Sequence, residues 1–253
     1  MRNIGIVLSG GGALATAHLG LIKRLEEIGD KPSVFSGNSA GACIGTLYTH
    51  GYSVEDILKI LKNEDWLKVP FNQFKEKGIL SVNDMFSSFE NYLPKRIEIG
   101  SLHIGAVNID SGEMRSFSEG DLHTILKASV ALSTFFKPVV YQGEYLVDSA
   151  LLDNFHVEPL INTCDTIYGS YVIPMTSYAS QENYKVQQLL NRLFAINGYQ
   201  RAKQKFKYCD TVIDHQYLKD YKVLDHHKID EIFEKSYEYC KQQLLKPAKA
   251  PCF

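Results

Sequence analysis

The sequence predicts an α/β domain, with a parallel or mixed sheet covered by helices on both faces. Three observations carry this. Short apolar, β-branched runs alternate with longer segments whose apolar residues recur at helical spacing. The second short run passes through a serine-bearing turn straight into a helix, a strand–turn–helix unit. No linker-like shift in composition interrupts the 253 residues, so one domain is expected over 1–253.

Taken in order, Asn3–Leu8 reads as a buried strand, short, β-branched and ended by glycine. Ala13–Ile28 follows as a helix; Leu14, Leu21, Ile22, Leu25 and Ile28 give it an apolar face, and Gly29 caps it. Ser33–Ser36 is a second strand, and Ala40–His50 a helix of small residues. Ser53-Val54-Glu55-Asp56 has the form of a capping box and opens a helix with Ile57, Leu58 and Leu61 inward; Ser81–Leu93 repeats that pattern. Between them, Trp66 to Gly78 is aromatic-rich and irregular, suited to a lid or a pocket wall. Leu102–Asn108 and Glu113–Phe117 predict strands joined by a turn at Asp110-Ser111-Gly112. Asp121–Leu132 predicts a helix, Val139–Val147 a hairpin turning at Gln142-Gly143-Glu144, and Thr166–Ile173 a buried strand. Tyr184–Tyr208 and Ile229–Leu245 are long amphipathic helices around a strand at Thr211–Asp214, and Lys246–Phe253 is a loose tail.

A net charge of −2 supplies no global attraction to nucleic acid or anionic membrane. No nucleic-acid partner is therefore expected, and any lipid contact rests on local apolar surface. Five scattered cysteines form no C-x-x-C pair, so metal-site spacing is absent and reduced thiols are expected. Arg2, Ile4–Leu8 and Ala13-Leu14-Ala15 imitate a signal peptide, but Ser9 and three glycines break the apolar run. Neither a cleaved leader nor a membrane span is expected, and the location predicted is cytoplasmic, peripheral where it meets a membrane.

Gly37-Asn38-Ser39-Ala40-Gly41 is a G-x-S-x-G elbow between strand and helix, which presents a serine for nucleophilic attack. A glycine-rich turn with a capping serine is the plainer account of the same residues. Gly10, Gly11 and Gly12 open the first helix, where unpaired N–H groups and the helix dipole suit an oxyanion or a phosphate. The run also fits G-x-G-x-x-A. However, the second strand ends in Ser36-Gly37-Asn38-Ser39, without the acidic residue a dinucleotide ribose needs. Val147-Asp148-Ser149-Ala150 puts a lone carboxylate after an apolar run, where Asp148 is either a turn residue or a base. Nucleophile, base and oxyanion donors are the parts of an acyl-transfer enzyme, and no cofactor or metal is called for. His156 lies near these blocks and would allow a Ser–His–Asp triad; His18 is a packing or helix-surface residue. Lys203, Lys205 and Lys207 alternate with Phe206 and Tyr208, as a solvated helix face or a membrane-surface patch.

Three blocks in this order, Ser9–Gly20, Gly37–Ala42 and Asp148–Val157, resemble the patatin-like phospholipase family. They look like its Gly-rich oxyanion loop, its serine elbow, and its aspartate block with a following asparagine. The stretch Ala128–Val139 is similar to the family's segment before the aspartate, and the resemblance covers roughly residues 3–175. It implies a three-layer α/β/α sandwich with a mainly parallel central sheet and a Ser–Asp dyad without histidine. It implies a lipid acyl hydrolase acting on glycerolipids or other acyl esters. Ser39 then attacks, Asp148 takes the proton, and Gly10, Gly11 and Gly12 hold the oxyanion. Leu14 stands where the family usually has a cation, Ala15 where it commonly has glycine, Ser149 follows the aspartate in place of glycine, and His156 replaces a frequent proline. These departures motivate an alternative, a weak or inactive relative that binds acyl chains or a protein partner. A short-chain esterase is a third expectation. Headgroup, chain length and oligomeric state are not legible.

Overall fold

A computed structural model of the chain describes residues 2–63, 81–97, 100–133, 135–175 and 186–245. The expected lid or wall at 66–78 and the expected tail at 246–253 lie outside the described residues. In chain order the elements are β1 (Ile4–Leu8), α1 (Ala17–Ile28), β2 (Val34–Asn38), α2 (Ala40–Thr49), α3 (Val54–Asn63), α4 (Asn83–Phe86), β3 (Arg96–Ile97), β4 (Leu102–Asn108), β5 (Met114–Phe117) and β6 (Gly120–Asp121). They continue with α5 (Leu122–Val130), β7 (Val139–Tyr141), β8 (Glu144–Asp148), β9 (Thr166–Tyr171), α6 (Val186–Lys205), β10 (Thr211–Asp214) and α7 (Ile229–Gln243).

The main sheet runs β10-β9-β1-β2-β4-β8-β7, with β5 also paired to β4. Strands β10, β9, β1, β2 and β4 are parallel; β4 pairs antiparallel with β5 and β8, and β8 with β7. The side-chain alternation of β1 sorts the layers. Ile4, Ile6 and Leu8 face a core shared with α1, α2, α3 and α7. Val7 points the other way, into a cluster with Phe155, Leu160, Tyr171 and Ala202 of α6. A strand buried on both faces has no polar position to spare, which is why β1 reads as an unbroken apolar run. The result is the expected three-layer α/β/α arrangement around a mainly parallel sheet.

Strand β4 sets the site. Gly105 pairs with Asn38 and with Ser116, and Ala106 pairs with Arg115 and with Asp148. A strand residue has one neighbour on each edge, so β8 takes over the β2 edge of β4 at the point where β2 stops. The last residue of β2 and the last residue of β8 thus sit opposite successive residues of one strand. This register, not proximity in sequence, brings the elbow and Asp148 together.

Most elements fall where periodicity puts them. Ser53 caps α3 by accepting the Asp56 N–H at 3.1 Å, and Asp121 caps α5 by accepting that of Thr124 at 2.8 Å. The β7–β8 hairpin turns at Gln142 and Gly143, both at positive φ, as a tight hairpin with right-handed strand twist requires. Two expectations are corrected. The first helix begins as a 3-10 turn over Gly12–Thr16, because Ala13 donates outward to the Val223 carbonyl and Leu14 turns back to Gly11. The segment 81–93 is not one helix but α4 followed by a 3-10 turn at Phe89–Tyr92. Ser87 and Ser88 separate them, and serine side chains compete with the helix for backbone groups. Phe86 and Phe89 are buried edge-to-face across the break, with centroids 5.0 Å apart. No helix among the described residues is long and apolar enough to cross a membrane.

Candidate active site

Ser39 stands alone between β2 and α2. The sharp turn puts it at φ 52°, ψ −129°, a left-handed backbone that side chains rarely adopt. Neighbours hold it there. Its N–H donates to Ser129 Oγ at 2.9 Å, and the Asn38 side chain donates to the Asp153 carbonyl. Gly41 lets α2 press on the end of β1, since a Cβ there would lie 2.5 Å from the carbonyl oxygens of Leu8 and Ser9. Ser39 itself remains partly exposed.

Asp148 closes β8 and is only 3% exposed. Its N–H donates to the Ala131 carbonyl at 3.0 Å, and its Oδ1 accepts the Ala150 N–H at 2.8 Å. The Ser39 hydroxyl lies beside the same carboxylate and favours its charged form. Burial pushes the carboxyl up to about 6, against the opposing pull of the Ala150 N–H and the Ser39 hydroxyl. A carboxylate that ionises just below neutrality and touches a serine hydroxyl is equipped to take its proton. Ser129 and Ala131, at the end of α5, hold Ser39 and Asp148 respectively. The residue types announce neither role; Ser129 and Ser39 are 90 positions apart.

The glycine run divides its work. Gly10 donates its N–H to Asn154 Oδ1 at 2.7 Å, and Asn154 Nδ2 returns a bond to the Gly10 carbonyl at 3.1 Å. Of the three glycines expected to hold an oxyanion, Gly10 thus has its N–H on Asn154 in this structure. No partner among the described residues takes the N–H of Gly11 or Gly12. Each direction is set from the far side of a planar trans peptide. Asn154 holds the Gly10 carbonyl, and the Leu14 N–H holds the Gly11 carbonyl at 3.1 Å.

The patatin-like phospholipase family profile matches residues 6–161, which include all three blocks. The chain belongs to the patatin-like phospholipase family. It is similar to Lysophospholipase NTE1 of Kluyveromyces lactis, 24% identical over 279 residues that cover 93% of this chain and 19% of that protein. Lysophospholipase nte1 of Aspergillus fumigatus is 25% identical over 296 residues, covering 97% and 18%. The chain spans under a fifth of the length of the curated relatives it matches. Among solved structures, VipD from Legionella pneumophila aligns with a TM-score of 0.43 and 16% identity, over 81% of this chain and 55% of that one. Full-length ExoU of Pseudomonas aeruginosa, in its complex with SpcU, aligns with a TM-score of 0.39 and 13% identity over 97% and 53%.

The departures from the patatin-like pattern have physical settings. Leu14 is 2% exposed and packs with Ala17, Val172, Leu218, Tyr221 and Ile232, so the loop is built around an apolar side chain. Ala15 is buried in the main core. His156 is buried, with Nδ1 3.4 Å from Glu158 and 4.0 Å from Asp153; no contact joins it to Ser39 or Asp148 among the described residues. Asp153, His156 and Glu158 gather ligand atoms within 4.8 Å of one another, as a metal would require. The Lys205 ammonium already fills that centre, 2.5 Å from Asp153 and 2.6 Å from Glu158. Of the alternating lysines, Lys205 therefore turns inward, while Lys203 and Lys207 are exposed.

Proposed function

We propose that this chain hydrolyses acyl esters of glycerolipids through a Ser39–Asp148 dyad. The observation that carries the reading is a partly exposed serine at a strained elbow, beside a buried carboxyl lifted to about 6. Asp148 takes the hydroxyl proton as Ser39 Oγ attacks the acyl carbonyl. The N–H groups of Gly11 and Gly12 receive the oxyanion, and Gly10 anchors their loop. Collapse expels the alcohol, which takes the proton from Asp148 and leaves an acyl-serine. Water then attacks with Asp148 again as base, and the fatty acid leaves as the serine is restored.

The lysophospholipase names of the relatives support a glycerolipid substrate. Val223 and Leu224, 45% and 37% exposed, adjoin the glycine loop through the Ala13-to-Val223 bond of 2.8 Å. They supply local apolar surface for a peripheral lipid contact. Residues 1–253 are read as one catalytic domain, because α7 shares a core with β1 and α1. Leu14 in place of a cation is the observation that favours a non-catalytic binder. It leaves both backbone donors in place, so hydrolysis remains the reading. The test is fluorophosphonate labelling together with turnover of a soluble ester. Wild type should label and turn over, and Ser39→Ala should do neither while keeping its fold. Labelling of Ser39→Ala at the wild-type rate would remove Ser39 as nucleophile.

A further inference from the structure

Two buried histidines take no part in the proposed chemistry. His18 in α1 and His215 just after β10 are both fully buried, and Ser170 of β9 lies between them. His18 Nε2 is 2.8 Å from the Ser9 carbonyl, and His18 Nδ1 is 2.7 Å from Ser170 Oγ. Ser170 Oγ is 2.9 Å from His215 Nε2, and His215 Nδ1 is 2.7 Å from the Tyr217 hydroxyl.

The protons of this chain have one consistent placement. A carbonyl only accepts, so His18 Nε2 carries hydrogen. Burial lowers His18 to about 4, against the pull of the Ser9 carbonyl, so the ring is neutral and Nδ1 is bare. Nδ1 must then accept from the Ser170 hydroxyl. That uses the one hydroxyl proton, so Ser170 accepts from His215 Nε2–H. Burial, with His18 nearby, holds His215 well below its usual value, so its Nδ1 is bare and accepts from Tyr217. Hydrogen bonds therefore run one way, from Tyr217 through His215, Ser170 and His18 to Ser9.

Ser9 is the residue before the glycine loop, and it is held on three sides. Its N–H donates to the Ser170 carbonyl at 3.1 Å, its Oγ accepts the Val172 N–H at 3.0 Å, and its carbonyl accepts from His18. The Ser9–Gly10 peptide has its oxygen on His18 and its N–H on Asn154, so both ends of one rigid plane are fixed. The loop needs such clamps. Gly10 cannot be larger, since a Cβ would lie 2.8 Å from Ser39 Cβ and 2.9 Å from Asn154 Oδ1. Three successive glycines leave the backbone little stiffness of its own.

We infer that His18, locked in its Nε2–H tautomer by Ser170, His215 and Tyr217, is a positioning residue that aims the free N–H groups of the glycine loop. This rests on the oxyanion role proposed above for that loop. Tyr217→Phe and His18→Leu should lower kcat on a soluble ester about 10- to 100-fold, the scale on which small misplacements at a reacting centre act. KM should stay within about twofold, and rates are normalised to fluorophosphonate-titrated sites. His18→Gln should recover most of the rate, because its amide offers one donor and one acceptor. Imidazole 15N spectra of wild type at neutral pH should show both rings as neutral Nε2–H tautomers, with the His215 pattern lost in Tyr217→Phe. A protonated or Nδ1–H His18 overturns the inference, as does wild-type kcat in Tyr217→Phe or a Gln variant no better than Leu. If His18→Leu does not fold, Tyr217→Phe, at the outer end of the chain, carries the test. If wild type neither labels nor hydrolyses any ester, the proposed function fails. The tautomers and the amide shifts of Gly10, Gly11 and Gly12 then decide the inference separately: shifts that move in Tyr217→Phe support it, and unmoved shifts overturn it.

Discussion

Asp148 and Glu158 lie ten positions apart on one stretch of chain, and the structure treats their carboxyls in opposite ways. Asp148 is buried, is met by a hydroxyl and a backbone N–H, and sits at about 6. Partial burial would also raise Glu158, but the nearby His156 ring and the Lys205 ammonium outweigh that and hold it at about 2. The differences are a neighbouring cation and access to water. Burial without one turns a carboxylate into a base that can accept a proton near neutrality. A half-exposed carboxylate beside one stays a fixed anion and ties α6 to the loop carrying Asn154.

The hardest blow to that contrast is Asp148→Asn, which keeps shape and removes basicity. Ester turnover should fall at least about a hundredfold, the usual scale for a lost general base. The melting temperature should hold or rise, because a buried charge without a cation has been removed. A variant that turned over at near wild-type rate would show that the base lies elsewhere, and His156→Ala, expected to cost little, would be the next substitution to assay.

Supplying the missing cation is the second way to break the comparison. Leu14→Arg puts a guanidinium where the family usually has a cation, yet here the position is 2% exposed within an apolar cluster. We expect a loss of about 3 kcal/mol or more in denaturant unfolding, the scale of an unpaired charge in a core, and no gain in turnover. A stable and faster Leu14→Arg would mean that the cluster opens to let the charge reach the oxyanion.

Removing the cation that does exist is the third. Lys205→Met leaves Asp153, whose side chain is 11% exposed, without its ammonium. Urea unfolding should show a loss of about 2 kcal/mol, below the full cost of breaking a buried pair because Glu158 is half exposed. Turnover per folded molecule should change little. A large fall in kcat at unchanged stability would place Lys205 in the chemistry instead.

The smallest effect is a pH signature. Turnover at low substrate should rise through about pH 6 as Asp148 ionises. The two carboxyls pull stability in opposite directions. Asp148 is raised above its unfolded value, so its contribution favours the fold at low pH and declines between about 4 and 6 as pH rises. Glu158 is depressed, so its contribution is full above about 4.5 and is lost as pH falls toward about 2. Stability–pH curves of Asp148→Asn and Glu158→Gln should each lose one of these slopes. A profile for kcat/KM that is flat from pH 5 to 7 would contradict the assignment of the base.

The motifs disclosed Ser39 and Asp148 and the glycine run, because each is a short spacing of residue types with a local physical cause. A tight elbow needs small flanks, and a strand end needs a turn. Asn154 was visible only as part of a resembling block; its grip on Gly10 spans 144 positions. The roles of Ser129, Lys205 and His215 were invisible for the same reason. Leu14 could be seen as a departure, but not that the fold packs it away from water.

The sequence by itself determined the order of strands and helices and named the candidate parts of the site. Periodicity and turn chemistry act over a few residues and do not wait for the rest of the chain. Only the tertiary structure decided which glycine N–H groups remain free, which carboxyl meets a cation, and which histidine nitrogens carry hydrogen. Those properties depend on desolvation and on hydrogen-bond partners that the sheet delivers from distant positions, as β4 does by setting Asn38 and Asp148 against Gly105 and Ala106.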